Sequence, residues 1–254
     1  MSTLQEIFET HDGRLIHKWN HYFEVYEKYF SAYRGTPVNI LEIGISHGGS
    51  LQMWRKYFGE KANIFAVDIN PQCKQFEDGQ TKIFIGSQED EIFLSQLKAQ
   101  LPELDILIDD GGHTMNQQIT TFNHLFSTVK DGGIYLVEDT HTSYWGEYHG
   151  GYKKKGSFIE FAKDMVDQVH AWHIDNEKTL PVNAITENVG GIFFYDSIVV
   201  FEKKSRQEPS HSMRGNPAIT SYTDTTLKKE SILRRIRKKL SGGKESSYVR
   251  QLKK

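Results

Sequence analysis

The feature that most limits how this chain can fold is a repeated pairing of a short apolar run with a helical stretch. VNILEIG (38–44), NIFAVDI (63–69), KIFIG (82–86), DILIDD (105–110) and GGIYLVED (132–139) are the apolar runs. GGSLQMWRKYFG (48–59), DEIFLSQLKAQL (90–101), MNQQITTFNHLFSTVK (115–130) and SFIEFAKDMVDQVHAW (157–172) carry apolar residues at helical spacing. Strands that are apolar on both faces need cover on both, and helices between them supply it, so the alternation predicts a parallel sheet. GIFFYDSIVVFEK (191–203) breaks the rhythm: two strands joined at Tyr195-Asp196-Ser197 predict an antiparallel hairpin. The expected fold class is α/β, a doubly wound, Rossmann-like, mostly parallel sheet with a C-terminal antiparallel hairpin.

An N-terminal helical segment is expected over 1–37. Within it, residues 14–34 carry Trp19, Tyr22, Phe23, Tyr26 and Phe30 at helical spacing. The main domain is expected over 38–204. Beyond it the pattern stops in a polar stretch with Pro and Gly, which reads as a loose linker; ESILRRIRKKLSGG then reads as a short basic helix. Residues 1–202 hold 16 Lys/Arg against 29 Asp/Glu, and residues 203–254 hold 15 against 4. An acidic body therefore carries a basic tail, 205–254. A flexible solvated segment, peripheral contact with an anionic membrane and partner binding all suit such a tail. The acidic body argues against a broad nucleic-acid track.

The lone Cys73 excludes an intrachain disulfide and any cysteine-based zinc site. No apolar run approaches the roughly eighteen residues of a membrane span, and the acidic, polar N-terminus does not read as a secretory signal. The expected location is cytoplasmic. Oligomeric state stays open, a homo-oligomer included.

In open α/β sheets, ligands gather beyond the carboxyl ends of the strands, and the unusual polar residues fall there. LEIGISHGGS places Glu42 at one strand end, then Gly44, Ser46 and Ser50 in and after a Gly-rich turn. Glycine there lets a ligand approach the backbone closely. The turn is GxxxGG, neither a dinucleotide fingerprint nor a P-loop. Asp68 in AVDIN ends the next strand, where a carboxylate can accept both hydroxyls of a ribose. Ser87, Gln88 and Asp90 in IGSQED follow the third strand, placed to hydrogen-bond an adenine edge.

Two later strand ends carry carboxylate pairs, Asp109-Asp110 and Glu138-Asp139. Helix caps or solvated ends explain one such acid, but four around one crevice repel unless a cation neutralises them. An all-oxygen set suits a hard ion such as Mg²⁺. His113 follows Asp110 by three residues; an imidazole there could take the proton of a hydroxyl whose pKa the ion lowers. HTSYWGEYHGGYKKKG (141–156) is a long, aromatic, Gly-rich loop. Tyr144, Trp145 and Tyr148 could stack on a sugar ring and His141 could hydrogen-bond it, while packing of these aromatics on the body is an equal reading. His17, His21 and Tyr22 could cover the cofactor, although Tyr22 suits a helical core position better.

LEIGISHGGS, AVDIN, IGSQED and the terminal hairpin, in that order over residues 38–203, resemble the class I S-adenosylmethionine-dependent methyltransferases. IDDGGH followed by VEDTHTSYW is similar to the metal-dependent sugar O-methyltransferases that modify macrolide and related glycosides. The resemblance implies S-adenosylmethionine as donor, with Glu42, Gly44, Ser46, Ser50, Asp68, Ser87, Gln88 and Asp109 on the cofactor side. It implies Asp110, Glu138 and Asp139 as ligands of Mg²⁺ or another hard divalent cation, and His113 as general base. Some related enzymes place an aspartate in the base role. The implied acceptor is a sugar hydroxyl of a small-molecule glycoside or polysaccharide precursor, met by His141, Tyr144 and Trp145. A catechol-like acceptor served by the same metal, and a non-catalytic cofactor-binding scaffold acting through its basic tail, are the alternatives.

Overall fold

The computed structural model describes residues 2–216 and 218, so most of the tail expected over 205–254, its basic helix included, lies outside the described residues. Seven strands form one sheet: β1 (Val38–Ile43), β2 (Ala62–Asp68), β3 (Thr81–Ile85), β4 (Leu104–Asp109), β5 (Val129–Val137), β6 (Val189–Tyr195) and β7 (Ile198–Lys203). Their order is β3-β2-β1-β4-β5-β7-β6. The first five pair in parallel, and β7 runs antiparallel to both β5 and β6. This is the doubly wound sheet with a reversed hairpin that the alternation predicts.

Strand order reverses at β1, so the chain leaves β1 and β4 in opposite directions and a crevice opens between the two exits. The backbone ladder runs one residue past each strand end. Gly44 N–H donates to Val67 O, Asp110 N–H to Ile43 O and Glu138 N–H to Asp109 O, at 2.8, 2.9 and 2.9 Å. Gly44, Asp110 and Glu138 therefore stand side by side at the rim of the sheet. Gly44 has φ +84°, and a Cβ there would collide with the carbonyl of Asp110.

The helices are α1 (Leu4–Glu9), α2 (Tyr22–Phe30), α3 (Gly49–Phe58), α4 (Glu91–Lys98), α5 (Met115–Leu125), α6 (Phe158–Val169) and α7 (Ala184–Asn188). Thr3 and Glu6 close a capping box on α1, each side chain meeting the other's backbone N–H. The helix expected over 14–34 is confined to α2 and a 3₁₀ turn at Ser31–Tyr33. Residues 15–19 run without helix, and Trp19, expected on the buried face, is 48% exposed. Lys18, four residues before Tyr22, still faces inward, where its ammonium meets Asp110, Glu138 and Glu42. Tyr26 and Phe30 of α2 stack at 5.7 Å and meet Trp54 of α3 edge-on at 5.4 and 5.9 Å. All three are fully buried, and burial of such a side chain stabilises by about 1.5–3 kcal/mol.

The described residues divide into two compact units, those up to Asp164 with Val189–Ser205, and Met165–Asn188 with those from Arg206 on. The first holds the whole sheet. In the second, Asn183 accepts the N–H groups of Ile185 and Thr186 at the start of α7, and the Thr186 hydroxyl donates to Gln168 O. No helix among the described residues is long and apolar enough to cross a membrane.

Candidate active site

The crevice between the exits of β1 and β4 holds a cavity of about 510 Å³, lined among others by Gly44, Ser46, Asp68, Gln88, Asp110 and His113. Ser50, Ser87 and Asp139 also line it, as do Leu15, Ile16, His17 and Lys18 from the segment ahead of α2.

One half is built around the turn after β1. Asp68 at the end of β2 accepts the N–H groups of Ile45 and Ser46 through Oδ2, at 3.0 and 2.9 Å, and that of Asn70 through Oδ1. It thereby holds open a turn in which both Gly44 and Ser46 have positive φ. Glu42 is fully buried; its Oε2 accepts the Ser50 hydroxyl at 2.7 Å, while its Oε1 has no hydrogen-bond partner. Gln88 donates to Asp109 Oδ1 and Thr121 Oγ1 and accepts Gly112 N–H, bracing the β3 and β4 exits against each other. A Cβ on Gly111 would strike that Gln88 carbonyl, so the brace requires glycine there. Asp90 is committed elsewhere, capping α4 through Ile92 N–H and Phe93 N–H. Burial lifts the Asp109 carboxyl to about 7, against the hydrogen bond from Gln88.

The other half is acidic. The His113 Nε2 lies 3.4 Å from Asp139 Oδ2 and 3.9 Å from Asp110 Oδ1. One donor atom from each of these three residues falls within 4.8 Å of the others, the spacing a single ion needs. His113 and Asp139 both hold left-handed backbone, φ +58° and +52°, a conformation that costs about 1–3 kcal/mol and collects at functional sites. Burial lowers the His113 pKa against the pull of Asp139, which keeps the imidazole neutral and able to accept a proton. The Tyr22 hydroxyl donates to Asp139 Oδ1 at 2.5 Å.

Glu138 points the other way, into the protein. It accepts the Tyr26 hydroxyl at 2.6 Å and the Lys18 ammonium at 2.8 Å, and is 1% exposed. Lys18 Nζ also lies 2.5 Å from Asp110 Oδ2 and 3.9 Å from Glu42 Oε1. Burial alone would depress the lysine, but Asp110, Glu138 and Glu42 outweigh it and raise its pKa. Burial lifts Asp110 and Glu138 to about 7 each, with Lys18 opposing.

The loop after β5 forms a rim. The Thr142 hydroxyl donates to His113 O at 2.9 Å, tying the loop to the imidazole's own backbone. Ring centroids of His141 and Trp145 lie 4.7 Å apart, and those of His141 and Trp19 5.8 Å. Tyr144 and Trp145 are 51% and 49% exposed. These rim residues stand outside the cavity lining, whereas Glu42, Asp109 and Glu138 lie buried behind it. Of the three residues expected as a cover, His17 lines the cavity, His21 meets Asp196 O at 3.3 Å, and Tyr22 is core except for its hydroxyl.

Sequence reasoning missed Lys18 and Tyr26 as polar members of the site. Nothing in the sequence separates Lys18 from the other cations of the body, and Tyr26 reads as an apolar helix position. The one available signal was the deficit of positive charge around four converging acids.

Residues 41–140 match the family described as methyltransferase domain. The chain is 31% identical to the 8-demethyl-8-alpha-L-rhamnosyl tetracenomycin-C 2'-O-methyltransferase of Streptomyces olivaceus, over 74% of this chain and 52% of that protein. It is 31% identical to the demethylmacrocin O-methyltransferase of Streptomyces fradiae, over 76% of this chain and 52% of that one. Among solved structures it is similar to the MycE methyltransferase of the mycinamycin biosynthetic pathway in complex with Mg, SAH and mycinamycin VI. That match has a TM-score of 0.73 and 26% identity, covering 80% of this chain and 54% of the other. The chain spans about half the length of the relatives it matches.

Proposed function

Because residues 41–140 match a methyltransferase domain and the chain is similar to sugar O-methyltransferases, we propose that it moves a methyl group from S-adenosylmethionine to a sugar hydroxyl. The acceptor is a small-molecule glycoside or a polysaccharide precursor, and the reaction uses Mg²⁺ or another hard divalent cation. The observation that carries the reading is His113 Nε2 set beside Asp110 and Asp139 at the mouth of a nucleotide-sized cleft.

The residues present fit both groups. The donor's cationic sulfonium suits a wall of buried acid, and Glu42 Oε1 is a buried acceptor without a hydrogen bond. Gly44, Ser46, Ser50 and Asp68 frame the donor side, with Ser87, Gln88 and Asp109 beyond them. Asp110 and Asp139 offer the hard oxygen atoms a divalent ion takes, whereas Glu138, expected as a third ligand, is turned inward to Lys18 and Tyr26 and would have to give up Lys18 to join them. Bound there, the ion would supply Lewis-acid polarisation of the acceptor hydroxyl.

The chain's own residues do the rest. His113 Nε2 accepts the hydroxyl proton, and Asp139 stabilises the imidazolium that results. Gln88 holds Gly112 N–H, and so the approach to His113, in place. His141, Tyr144 and Trp145 offer aromatic faces and a ring nitrogen to the sugar at the rim. Methyl transfer from the sulfonium is an in-line displacement, in which orientation provides much of the rate.

The test is release of S-adenosylhomocysteine from S-adenosylmethionine over a panel of glycosides and catechols, with Mg²⁺ and with EDTA. Turnover is expected with glycosides and Mg²⁺. Asp110→Ala and Glu138→Ala should abolish turnover and keep donor affinity. His113→Ala should lose about 10²–10⁴-fold in rate, the usual contribution of a general base. Full turnover of Asp110→Ala in EDTA would overturn the metal assignment. Preference for catechols would overturn the sugar assignment alone.

A further inference from the structure

Lys18 is the most heavily engaged cation at the site, and the acceptor chemistry above gives it no task. Its ammonium makes hydrogen bonds to Asp110 Oδ2 and to both carboxylate oxygens of Glu138. Its side chain is 2% exposed. The acids it occupies include two of those proposed to hold the divalent ion.

The segment that delivers it is poorly fastened otherwise. Residues 15–19 form neither helix nor strand. No backbone N–H from Leu15 to Lys18 takes part in any hydrogen bond found among the described residues. Upstream, Arg14 holds the segment through Gln52 Oε1 and Gly48 O, and the chain crosses the start of α3 so tightly that a Cβ on Gly49 would collide with the Arg14 and Leu15 carbonyls. Downstream it enters α2. Between these points its burial alternates, with Lys18 inside and His17 and Trp19 outside, and Leu15, Ile16 and His17 wall the cleft beside Lys18. Lys18 is thus the inward pin of a strap that closes one side of the donor pocket.

We propose that Lys18 is a tethered cation competing with the divalent ion for Asp110 and Glu138, so that metal binding releases the pin and loosens the strap over residues 15–19. Two positive centres drawn to the same carboxylate oxygens repel one another, and each oxygen taken by the ion is lost to the ammonium. Metal occupancy and the order of the strap are thereby linked through one side chain. The inference rests on the metal reading above and adds to it a positioning residue and an order of events.

The test is Mg²⁺ titration of the full chain by calorimetry, comparing the wild type with Lys18→Met, which keeps much of the volume and removes the charge. Lys18→Met is expected to bind Mg²⁺ about tenfold or more tightly. In the wild type, amide hydrogen exchange over residues 14–21 should speed up when Mg²⁺ is added, and this arm stands even if the variant fails to fold. Equal or weaker Mg²⁺ binding by a folded Lys18→Met would overturn the competition. So would unchanged or slower exchange in the wild type. Mg²⁺ binding by neither protein would overturn the competition and the metal reading together, whereas equal binding by both sinks only the competition.

Discussion

Replacing Gly44 by Ala tests the packing that creates the cleft. Two costs arise, and the structure separates them. The first is backbone strain: Gly44 has φ +84°, and a non-glycine residue held in such a region costs about 1–3 kcal/mol. The second is collision of the new Cβ with the Asp110 carbonyl, and with Gly111 behind it. That contact is backbone on backbone, so no flexible side chain can yield, and overpacking of this kind costs about 1–3 kcal/mol more. Gly35 supplies the control, having φ +71° with nothing within 4 Å of an added Cβ. Gly35→Ala should therefore lose about 1–3 kcal/mol and Gly44→Ala about 2–6 kcal/mol. Urea unfolding reads the difference. With a slope of about 1–3 kcal/mol per M, the midpoint of Gly44→Ala should lie clearly below that of Gly35→Ala. Calorimetry with S-adenosylhomocysteine should show lost affinity for Gly44→Ala only, because the exits of β1 and β4 are forced apart. Equal stability and equal affinity in the two variants would refute the argument that close approach at this crossing shapes the cleft.

Three further outcomes follow from single contacts. Tyr26→Phe removes a fully buried hydrogen bond to Glu138 at 2.6 Å and should destabilise by about 1.5–3 kcal/mol, the range for a bond to a charged group; a loss under about 0.5 kcal/mol in urea unfolding would show that Lys18 alone satisfies Glu138. Asp109 has its folded pKa raised to about 7 by burial, so between about pH 4, where the unfolded carboxyl titrates, and pH 7 the folded state holds the extra proton. Its stabilising contribution is complete below the unfolded value and lost as pH rises through the folded one, at up to about 1.4 kcal/mol per pH unit. Asp109→Asn should gain on the wild type across that window in urea melts and run parallel above it; a constant difference at every pH would contradict the shift. Trp145→Ala should raise the KM for the glycoside about tenfold, roughly 1.4 kcal/mol, and leave donor affinity alone; equal KM values would remove the rim from the acceptor site.

Much of the fold was legible because its signals are local. The central strands β1 and β4 and the second half of β5 are apolar almost throughout, glycine marks the turns after β1, β3 and β4, and Tyr195-Asp196-Ser197 marks the reversal before β7. The location of the site was legible for the same reason, since polar residues at the ends of buried strands have no local purpose. The extent of the first long helix was not. Periodicity over 14–34 describes side chains that do repeat, but nothing in it shows that residues 15–19 run without helix or that Lys18 meets acids 92 and 120 residues away. The rim was half legible: His141 and Trp145 stand in one loop, and Trp19 joins them only through the strap.

By itself, the sequence determined a parallel sheet with a reversed edge and brought Asp109, Asp110, Glu138 and Asp139 to neighbouring strand ends, because hydrophobic burial and strand geometry act on each segment alone. Tertiary structure decided which way each acid faces. Asp139 turns toward His113 while Glu138 turns inward to Tyr26 and Lys18, and that choice depends on which distant groups happen to offer a proton or a positive charge. A charge buried in a low-dielectric interior must find a partner wherever the chain can bring one, and sequence distance carries no information about where that is.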